Sequence, residues 1–93
     1  MPNIDIAHIH EQGQDMIIAP LDGAFGNRTQ GEQNSMLGAI QAAAHSAGLR
    51  GTAVIVWQAG RRFNFMGPQQ WHPFLRSIDM RWVSANINKS LSW

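Results

Sequence analysis

The sequence predicts a small α+β domain in which two β-hairpins form a largely antiparallel four-stranded sheet packed on one main helix, in the order ββαββα. Three observations support this class. Residues 4–21 read as two short strands around a glycine turn, residues 29–48 carry the signals of a capped helix, and residues 52–66 read as a hairpin of apolar strands. Ninety-three residues suit one domain, so we expect a single compact unit over residues 1–93.

The first predicted hairpin occupies the N-terminal part of the chain. Residues 4–11 alternate in the manner of a half-buried strand, and a turn at Gly13 follows. Residues 16–21 form the returning strand, which ends before Gly23. Its Met-Ile-Ile-Ala run does not alternate, so we expect this strand to be buried on both faces. One face of the first strand carries Ile4, Ile6, His8 and His10.

A helix is predicted between Thr29 and Gly48. Thr29 and Glu32 have the spacing of a capping box, in which each side chain satisfies an exposed backbone N–H of the other residue. Gly48 fits the position after a helix end where the backbone becomes left-handed. Gly31 and Gly38 each weaken the helix by about 1 kcal/mol relative to alanine, so we expect it to depend on packing. Its buried stripe consists of Met36, Leu37, Ile40, Ala44 and Ala47.

The second predicted hairpin joins residues 52–58 to residues 61–66 across the loop Ala59-Gly60. A loop of this length fixes the register and places Val56 opposite Phe63. The core face of the hairpin would carry Val54, Val56, Phe63 and Phe65. The opposite, mixed face would carry Ala53, Ile55, Trp57, Arg62, Asn64 and Met66.

The segment after Gly67-Pro68 is predicted to be helical at first and extended at its end. A short helix is expected around residues 69–76, with Pro73 either at its start or preceded by a turn. Asp79 is expected to cap a further helical stretch. Residues 89–93 alternate like a strand, and in the alternative topology they add a fifth strand to the sheet.

Composition restricts the classes of protein to which the chain can belong. Apolar residues make up 44% of it, which is typical of a globular protein, whereas charged residues make up only 14%. The absence of cysteine removes disulfides and thiolate metal sites. The longest apolar windows are too short to cross a bilayer, and the first residues lack the features of a signal peptide. We therefore expect a cytoplasmic protein without a cofactor, a bound metal or a membrane partner.

The leading functional hypothesis is a non-enzymatic binding or protein-interaction module that acts as a homodimer. The low charge content suggests that part of the surface is covered, and self-association is the simplest cover. Tryptophan is enriched at interface hot spots, and the chain has four tryptophans and no tyrosine. We expect a partner contact for at least one of Trp57, Trp71 and Trp93. The candidate interface residues are Ile55, Trp57, Arg62, Met66 and Trp71.

An anion-binding loop is a further candidate site. Gly23 and Gly26 would let backbone N–H groups approach a phosphate, and Arg28 follows them at the start of the predicted helix, whose dipole adds positive potential. The spacing matches neither the dinucleotide-binding fingerprint nor a P-loop. Glu32 brings negative charge to the same place, so a plain strand-to-helix loop anchored by Phe25 is the alternative interpretation.

Two other functional classes stay open. A nucleic-acid-binding domain would use Arg61, Arg62 and the neighbouring aromatic rings to hold phosphates and stack bases. It requires the arginines on one surface, while the net charge of +1 gives no general attraction to nucleic acid. The arginines concerned are Arg28, Arg61, Arg62, Arg76 and Arg81. An enzyme would need a cleft near the glycine loop that joins at least two of His8, His10 and His72. No enzyme motif supports this class, so a binding protein is preferred.

Overall fold

The computed structural model describes residues 3–11 and 13–92. In this part of the chain, the strands are β1 (Asn3–Glu11), β2 (Gln14–Leu21), β3 (Thr52–Ala59), β4 (Arg62–Met66) and β5 (Lys89–Ser92). The helices are α1 (Gln30–Ser46), α2 (His72–Arg76) and α3 (Met80–Ala85). Short 3-10 helices occupy Gly23–Asn27 and Gln69–Trp71. The expected α+β class is confirmed.

The strands form one sheet with the order β4-β3-β2-β1-β5. The β1–β2, β3–β4 and β1–β5 pairs are antiparallel, and the β2–β3 pair is parallel. The connection through α1 returns the chain to the end of the sheet where β2 begins, so β3 runs in the same direction as β2. The sheet is largely antiparallel, as expected, but the described residues give it five strands rather than four. This matches the alternative topology, in which the C-terminal residues add a strand.

Helices cover both faces of the sheet. On the face that we call the α1 face, Ile40 of α1 shares a core with Ile17 of β2 and Ile55 of β3. On the opposite face, the α2–α3 face, Leu75 of α2 and Val83 of α3 pack into a second core. That second core includes Ala7, Met16, Ile18, Val54, Val56 and Trp71. The sheet is therefore the middle layer of three.

The prediction that the second strand is buried on both faces is confirmed. Met16, Ile17, Ile18 and Ala19 are all buried, although their side chains alternate between the two faces. The physical reason is that β2 lies at the centre of the sheet and has helices above and below it. A strand in such a position reads as a continuous apolar run.

The ends of α1 lie at the predicted signals, but only the Thr29 half of the predicted capping box forms within the described residues, because the Glu32 carboxylate accepts from the Thr29 hydroxyl and not from its backbone N–H. Thr29 Oγ1 accepts a hydrogen bond from the Glu32 backbone N–H at 3.2 Å and donates one to the Glu32 carboxylate at 3.1 Å. At the other end Gly48 has a φ of +80°, and the Leu49 N–H donates to the Ala44 carbonyl at 2.9 Å. This is the Schellman arrangement, in which glycine lets the chain leave the helix sharply.

The second hairpin forms as predicted, but its register is displaced by two residues. The two-residue loop begins at Gly60 rather than at Ala59, so Val56 pairs with Phe65 rather than with Phe63. Gly60 has a φ of +63°, and a hairpin loop of this length favours a left-handed residue at that point. Because side chains return to the same face after two residues, the displacement leaves every residue on its predicted face.

The helical segment after β4 begins with a turn, which is one of the two predicted options. The 3-10 helix Gln69–Trp71 precedes α2, and Pro73 lies in the first turn of α2. Asp79 caps α3 as expected, since its carboxylate accepts a hydrogen bond from the Trp82 N–H at 2.8 Å. These short helices carry the chain across the α2–α3 face to the far edge of the sheet, where β5 pairs with β1.

Candidate functional site

A cleft of about 300 Å³ lies where the parallel strands β2 and β3 end. Three segments line it, namely the 3-10 helix after β2, the end of β3 and the first half of β4. We call it the glycine-loop cleft. Its lining residues are Gly23, Gly26, Asn27, Trp57, Ala59, Arg62 and Asn64. The fold thus brings two of the candidate anion-binding residues together with two of the candidate interface residues.

Both glycines of the cleft lie against β3. A Cβ atom on Gly23 would lie 2.7 Å from the Gln58 carbonyl oxygen, and one on Gly26 would lie 2.8 Å from Trp57 Nε1. These separations leave no room for a side chain, so the 3-10 helix can pack on β3 only with glycine at both positions. Packing of the 3-10 helix on β3 therefore explains why Gly23 and Gly26, the glycines predicted to bind an anion, are glycines.

Phe25 anchors the 3-10 helix and positions the tryptophan of the cleft. Its buried ring meets the Trp57 ring edge to face, with a centroid separation of 5.0 Å and an interplanar angle of 63°. The Gln33 side chain of α1 donates a hydrogen bond to the Phe25 carbonyl at 3.1 Å. Trp57 is half-buried as a result, and its side chain forms a fixed wall of the cleft.

The polar side chains of the cleft are not engaged elsewhere in the described structure. Arg62 is exposed and forms no ion pair within residues 3–11 and 13–92. In the same part of the chain, the side chains of Asn27, Arg62 and Asn64 make no hydrogen bond to protein atoms. Asn64 is the β4 residue directly opposite Trp57. One guanidinium and two amides are thus available on one side of a tryptophan.

Arg28, the third candidate anion-binding residue, does not line this cleft. Its Nη1 atom lies 3.5 Å from Glu32 Oε2, and its side chain lines a separate hollow with Leu21 and Met36. Glu32 therefore partly neutralises Arg28 where the helix begins. The positive charge at the cleft comes from Arg62 of β4 instead.

The candidate interface residues lie in different environments. Ile55 has 0% of its surface exposed and Trp71 has 6%, and the two residues pack in the cores on opposite faces of the sheet. Trp57 and Met66 are half-buried on the α1 face, whereas Arg62 is exposed. Of the five candidate interface residues, Trp57, Met66 and Arg62 therefore offer surface to another molecule, and Ile55 and Trp71 do not.

A second feature is the β4 edge, which we define as the outer side of Arg62–Met66. The side chains of Phe63, Asn64, Phe65 and Met66 are all half-buried there. The opposite edge, β5, presents Lys89 and exposed serines, and its apolar Leu91 is buried. The two edges of the sheet therefore differ sharply in polarity.

The backbone of the β4 edge has groups that point away from the sheet. Ala59 and Arg62 close the hairpin, so Arg62 and every second residue after it form hydrogen bonds with β3. Phe63 and Phe65 consequently direct their N–H and C=O groups outward. Within the residues that the structure describes, no strand pairs with this side of β4.

The five arginines that a nucleic-acid-binding surface would need are spread over two layers. Arg28 and Arg62 lie on the side of α1, and Arg61 lies in the β3–β4 loop. Arg76 belongs to α2 and Arg81 to α3, which pack on the opposite face of the sheet. The described structure does not gather them on one face.

The candidate histidines are also separated. His8 and His10 lie near the turn between β1 and β2, whereas the glycine loop follows the other end of β2. His72 lies on the α2–α3 side, with its ring centroid 5.0 Å from that of Phe65. The described residues therefore form no histidine cleft beside the glycine loop. Trp93, the remaining candidate for a partner contact, lies outside the described residues.

A histidine–aspartate pair joins β1 and β2 near their turn. His10 Nδ1 lies 2.6 Å from Asp15 Oδ1, and the two residues are directly opposite each other in the strands. This hydrogen bond is the main cause that lowers the pKa of Asp15, against a smaller opposing effect of desolvation. Electrostatic interactions with His10, His8 and Arg50 lower it further. The part of the chain that the structure describes holds no group of three side chains suited to a metal ion.

Comparison with models of protein families, with curated proteins and with solved structures gives no significant match. Within residues 3–11 and 13–92, no helix has the length and apolar character needed to cross a membrane.

Proposed function

We propose that this protein is a non-enzymatic binding module that acts as a homodimer, and that two chains associate through the β4 edge. The observation that carries the proposal is the contrast between the two edges of the sheet. Natural proteins protect sheet edges with charge, with proline or with short polar strands. The β5 edge, with Lys89 and serines, has such protection, whereas the β4 edge presents Phe63, Phe65 and Met66.

Backbone geometry supports strand pairing as the mode of association. The outward N–H and C=O groups of Phe63 and Phe65 are spaced to pair with an added antiparallel strand. Two identical edges related by a two-fold axis satisfy each other, because an antiparallel pair is symmetric. The same pairing would place further apolar surface of both phenylalanine rings in contact with the second chain.

A groove beside the β4 edge supplies additional contact surface. It has a volume of about 480 Å³ and lies between α1 and the end of β4. Its walls include Leu37 and Gln41 of α1, Met66 at the end of β4 and Pro68 just beyond that strand. Pairing of two short strands alone buries less than the roughly 800 Å² per partner of a standard interface, so contacts in this groove are part of the proposal.

Charge favours a second copy of the chain as the occupant. The net charge is only +1, so two copies repel each other weakly. Within the β4 edge the single charged side chain is Arg62, at the hairpin end. We therefore expect association that is driven by apolar contact and backbone pairing and that is insensitive to salt.

The test is light scattering at two protein concentrations and two salt concentrations. We expect a dimeric mass that does not depend on salt. Phe63→Lys should give monomers, because it places a cation at the centre of a paired edge. Ser90→Lys is the matched control, since it adds the same charge to the β5 edge and should leave the dimer intact.

A second variant separates loss of pairing from loss of folding. Phe63→Pro removes an outward N–H but no hydrogen bond to β3, so the β3–β4 hairpin should survive while the dimer is lost. Circular dichroism and thermal unfolding establish that each variant folds. A wild-type monomer at all concentrations, or a dimer that persists in both folded Phe63 variants, would contradict the proposal.

A further inference from the structure

We infer that the glycine-loop cleft binds a small anion carried on a flat apolar ring, with its carboxylate or phosphate group paired to Arg62. The cleft is formed within one chain, so this inference does not depend on the proposed dimer. It rests on three properties of the cleft, namely its uncompensated charge, its wall of aromatic surface and its position in the sheet.

The first property is an available set of hydrogen-bond donors. Arg62 is exposed, and it has no acidic partner within the described residues. A guanidinium presents paired N–H groups that match the two oxygens of a carboxylate or phosphate. The amides of Asn27 and Asn64 line the same cleft and offer further donors. Asp22 precedes the cleft residue Gly23 in sequence, but it lines the separate hollow that Arg28 also lines. Its carboxylate accepts a hydrogen bond from the Ala24 N–H at 3.0 Å.

The second property is the tryptophan wall. Trp57 is half-buried and held by Phe25 and by the close backbone of Gly26, so its position is fixed before any ligand arrives. A rigid aromatic surface beside a cation suits a ligand that has both a ring and a negative charge. Ala59 and the two glycines leave the remaining walls free of bulky side chains.

The third property is the position of the cleft. It lies beyond the carboxyl ends of β2 and β3, which are parallel neighbours. In open α/β sheets, ligands bind in the crevice beyond the carboxyl ends of the strands at a topological switch point, and this cleft has the same position relative to the parallel pair of the described sheet. The volume of about 300 Å³ is at the lower limit of ligand pockets, so it fits one ring and one anionic group rather than a dinucleotide.

The experiment is a nuclear magnetic resonance titration of the full chain that follows the indole N–H signals. The Trp57 signal is assigned by its loss in Trp57→Phe. The probes are benzoate and phenyl phosphate, which carry both features and distinguish a carboxylate from a phosphate. Benzyl alcohol provides a ring without charge, and inorganic phosphate provides charge without a ring.

Variants of two neighbouring arginines supply the specific control. Arg62→Met keeps an unbranched apolar stem of similar size to that of arginine and removes the guanidinium and its charge from the cleft. Arg61→Met makes the same change one residue away, in the β3–β4 loop, where the side chain does not line the cleft. Both variants lower the net charge of the chain by one, so any general electrostatic effect on binding is the same for both.

We expect benzoate, phenyl phosphate or both to shift the Trp57 indole and Asn64 amide signals. The shifts should be larger than those caused by benzyl alcohol or by inorganic phosphate. Arg62→Met should weaken this binding at least about tenfold, as for loss of a charged hydrogen bond, and Arg61→Met should leave it within about twofold. The inference is overturned if neither anion shifts these signals, if benzyl alcohol or inorganic phosphate shifts them equally, or if both arginine variants weaken binding to the same extent.

Discussion

Glycine occurs in this chain for different structural reasons, and only the surroundings of each glycine show which reason applies. Gly51, immediately before β3, has a φ of +123°, and a Cβ there would lie 2.5 Å from the Asp15 carbonyl oxygen. Gly38, in the middle of α1, has no atom within 4 Å of the Cβ position. The first glycine is required by backbone conformation and close packing, and the second is not required by any contact within the described residues.

We predict opposite effects of alanine at these two positions. Gly51→Ala should lower the free energy of unfolding by at least about 3 kcal/mol, because strain at positive φ adds to a clash between backbones. Gly38→Ala should raise it by about 0.5–1 kcal/mol, since alanine favours the helix and meets open space. Urea unfolding at low protein concentration measures both. Equal effects of the two substitutions would show that local packing does not govern these sites.

The His10–Asp15 pair predicts a pH dependence of stability. Because folding lowers the pKa of Asp15 below its ordinary value of 3.8, the folded state favours the carboxylate. The stabilisation is present above that ordinary value and is lost as the pH falls through the lowered value. His10→Ala should raise the pKa of Asp15 towards 3.8 and reduce the loss of stability in this acidic range.

The measurement is a nuclear magnetic resonance titration of the Asp15 carboxyl carbon, combined with urea unfolding at several acidic pH values. His45→Ala is the control for the pKa measurement, since His45 is exposed on α1 and its ring bonds to the Gln41 side chain rather than to Asp15. An unchanged pKa of Asp15 in His10→Ala would refute the assignment of the shift to this hydrogen bond.

At the scale of elements, α1 substitutes for a missing piece of strand. β4 pairs with β3 only from Ile55 onward, so the first residues of β3 lack a neighbour on that side. The Gln41 side chain of α1 fills this place. Its Oε1 accepts a hydrogen bond from the Ala53 N–H at 2.7 Å, and its Nε2 donates to the Gly51 carbonyl at 3.0 Å. The Gln41 side-chain amide thus forms the two hydrogen bonds that the backbone of a neighbouring strand would otherwise form.

We predict that Gln41→Leu lowers the free energy of unfolding by about 2–3 kcal/mol, because two partly buried backbone groups lose their partners. Gln30→Leu is the matched control, since within the described residues the exposed Gln30 amide bonds only to the exposed Asn34 side chain on α1. Its cost should stay within about 0.5 kcal/mol. Chemical denaturation compares the two variants, and a similar cost for both would mean that the amide bridge contributes little.

The element predictions succeeded where the signal lies within a few residues of sequence. The caps of α1 at Thr29 and Gly48, the cap of α3 at Asp79 and the faces of the second hairpin all follow from local hydrogen bonding or from side-chain periodicity. The register of that hairpin was displaced by two residues, because alternation fixes the face of a side chain but allows a loop to start at either of two neighbouring residues.

At the scale of the whole molecule, the chain builds two cores on one sheet. The core on the α1 face contains Ile17, Ile40 and Ile55, and the core on the α2–α3 face contains Leu75 and Val83. β2 and β3 contribute to both cores, so the middle of the sheet is covered on both faces. The aromatic and polar residues of these two strands that remain accessible lie at the strand ends. The cleft and the β4 edge both lie at this periphery.

Local sequence signals were sufficient to predict the α+β class, the limits of the main helix, the burial of β2 on both faces and the presence of two hairpins, because periodicity and capping act over a few residues. The parallel β2–β3 pair and the pairing of β5 with β1 were decided only by tertiary structure. The same holds for the cleft, where Gly26 packs on Trp57 and both residues line one cleft with Arg62 although they are distant in sequence. Such neighbours depend on how α1 returns the chain along the sheet, and no local signal specifies which distant side chains then come together.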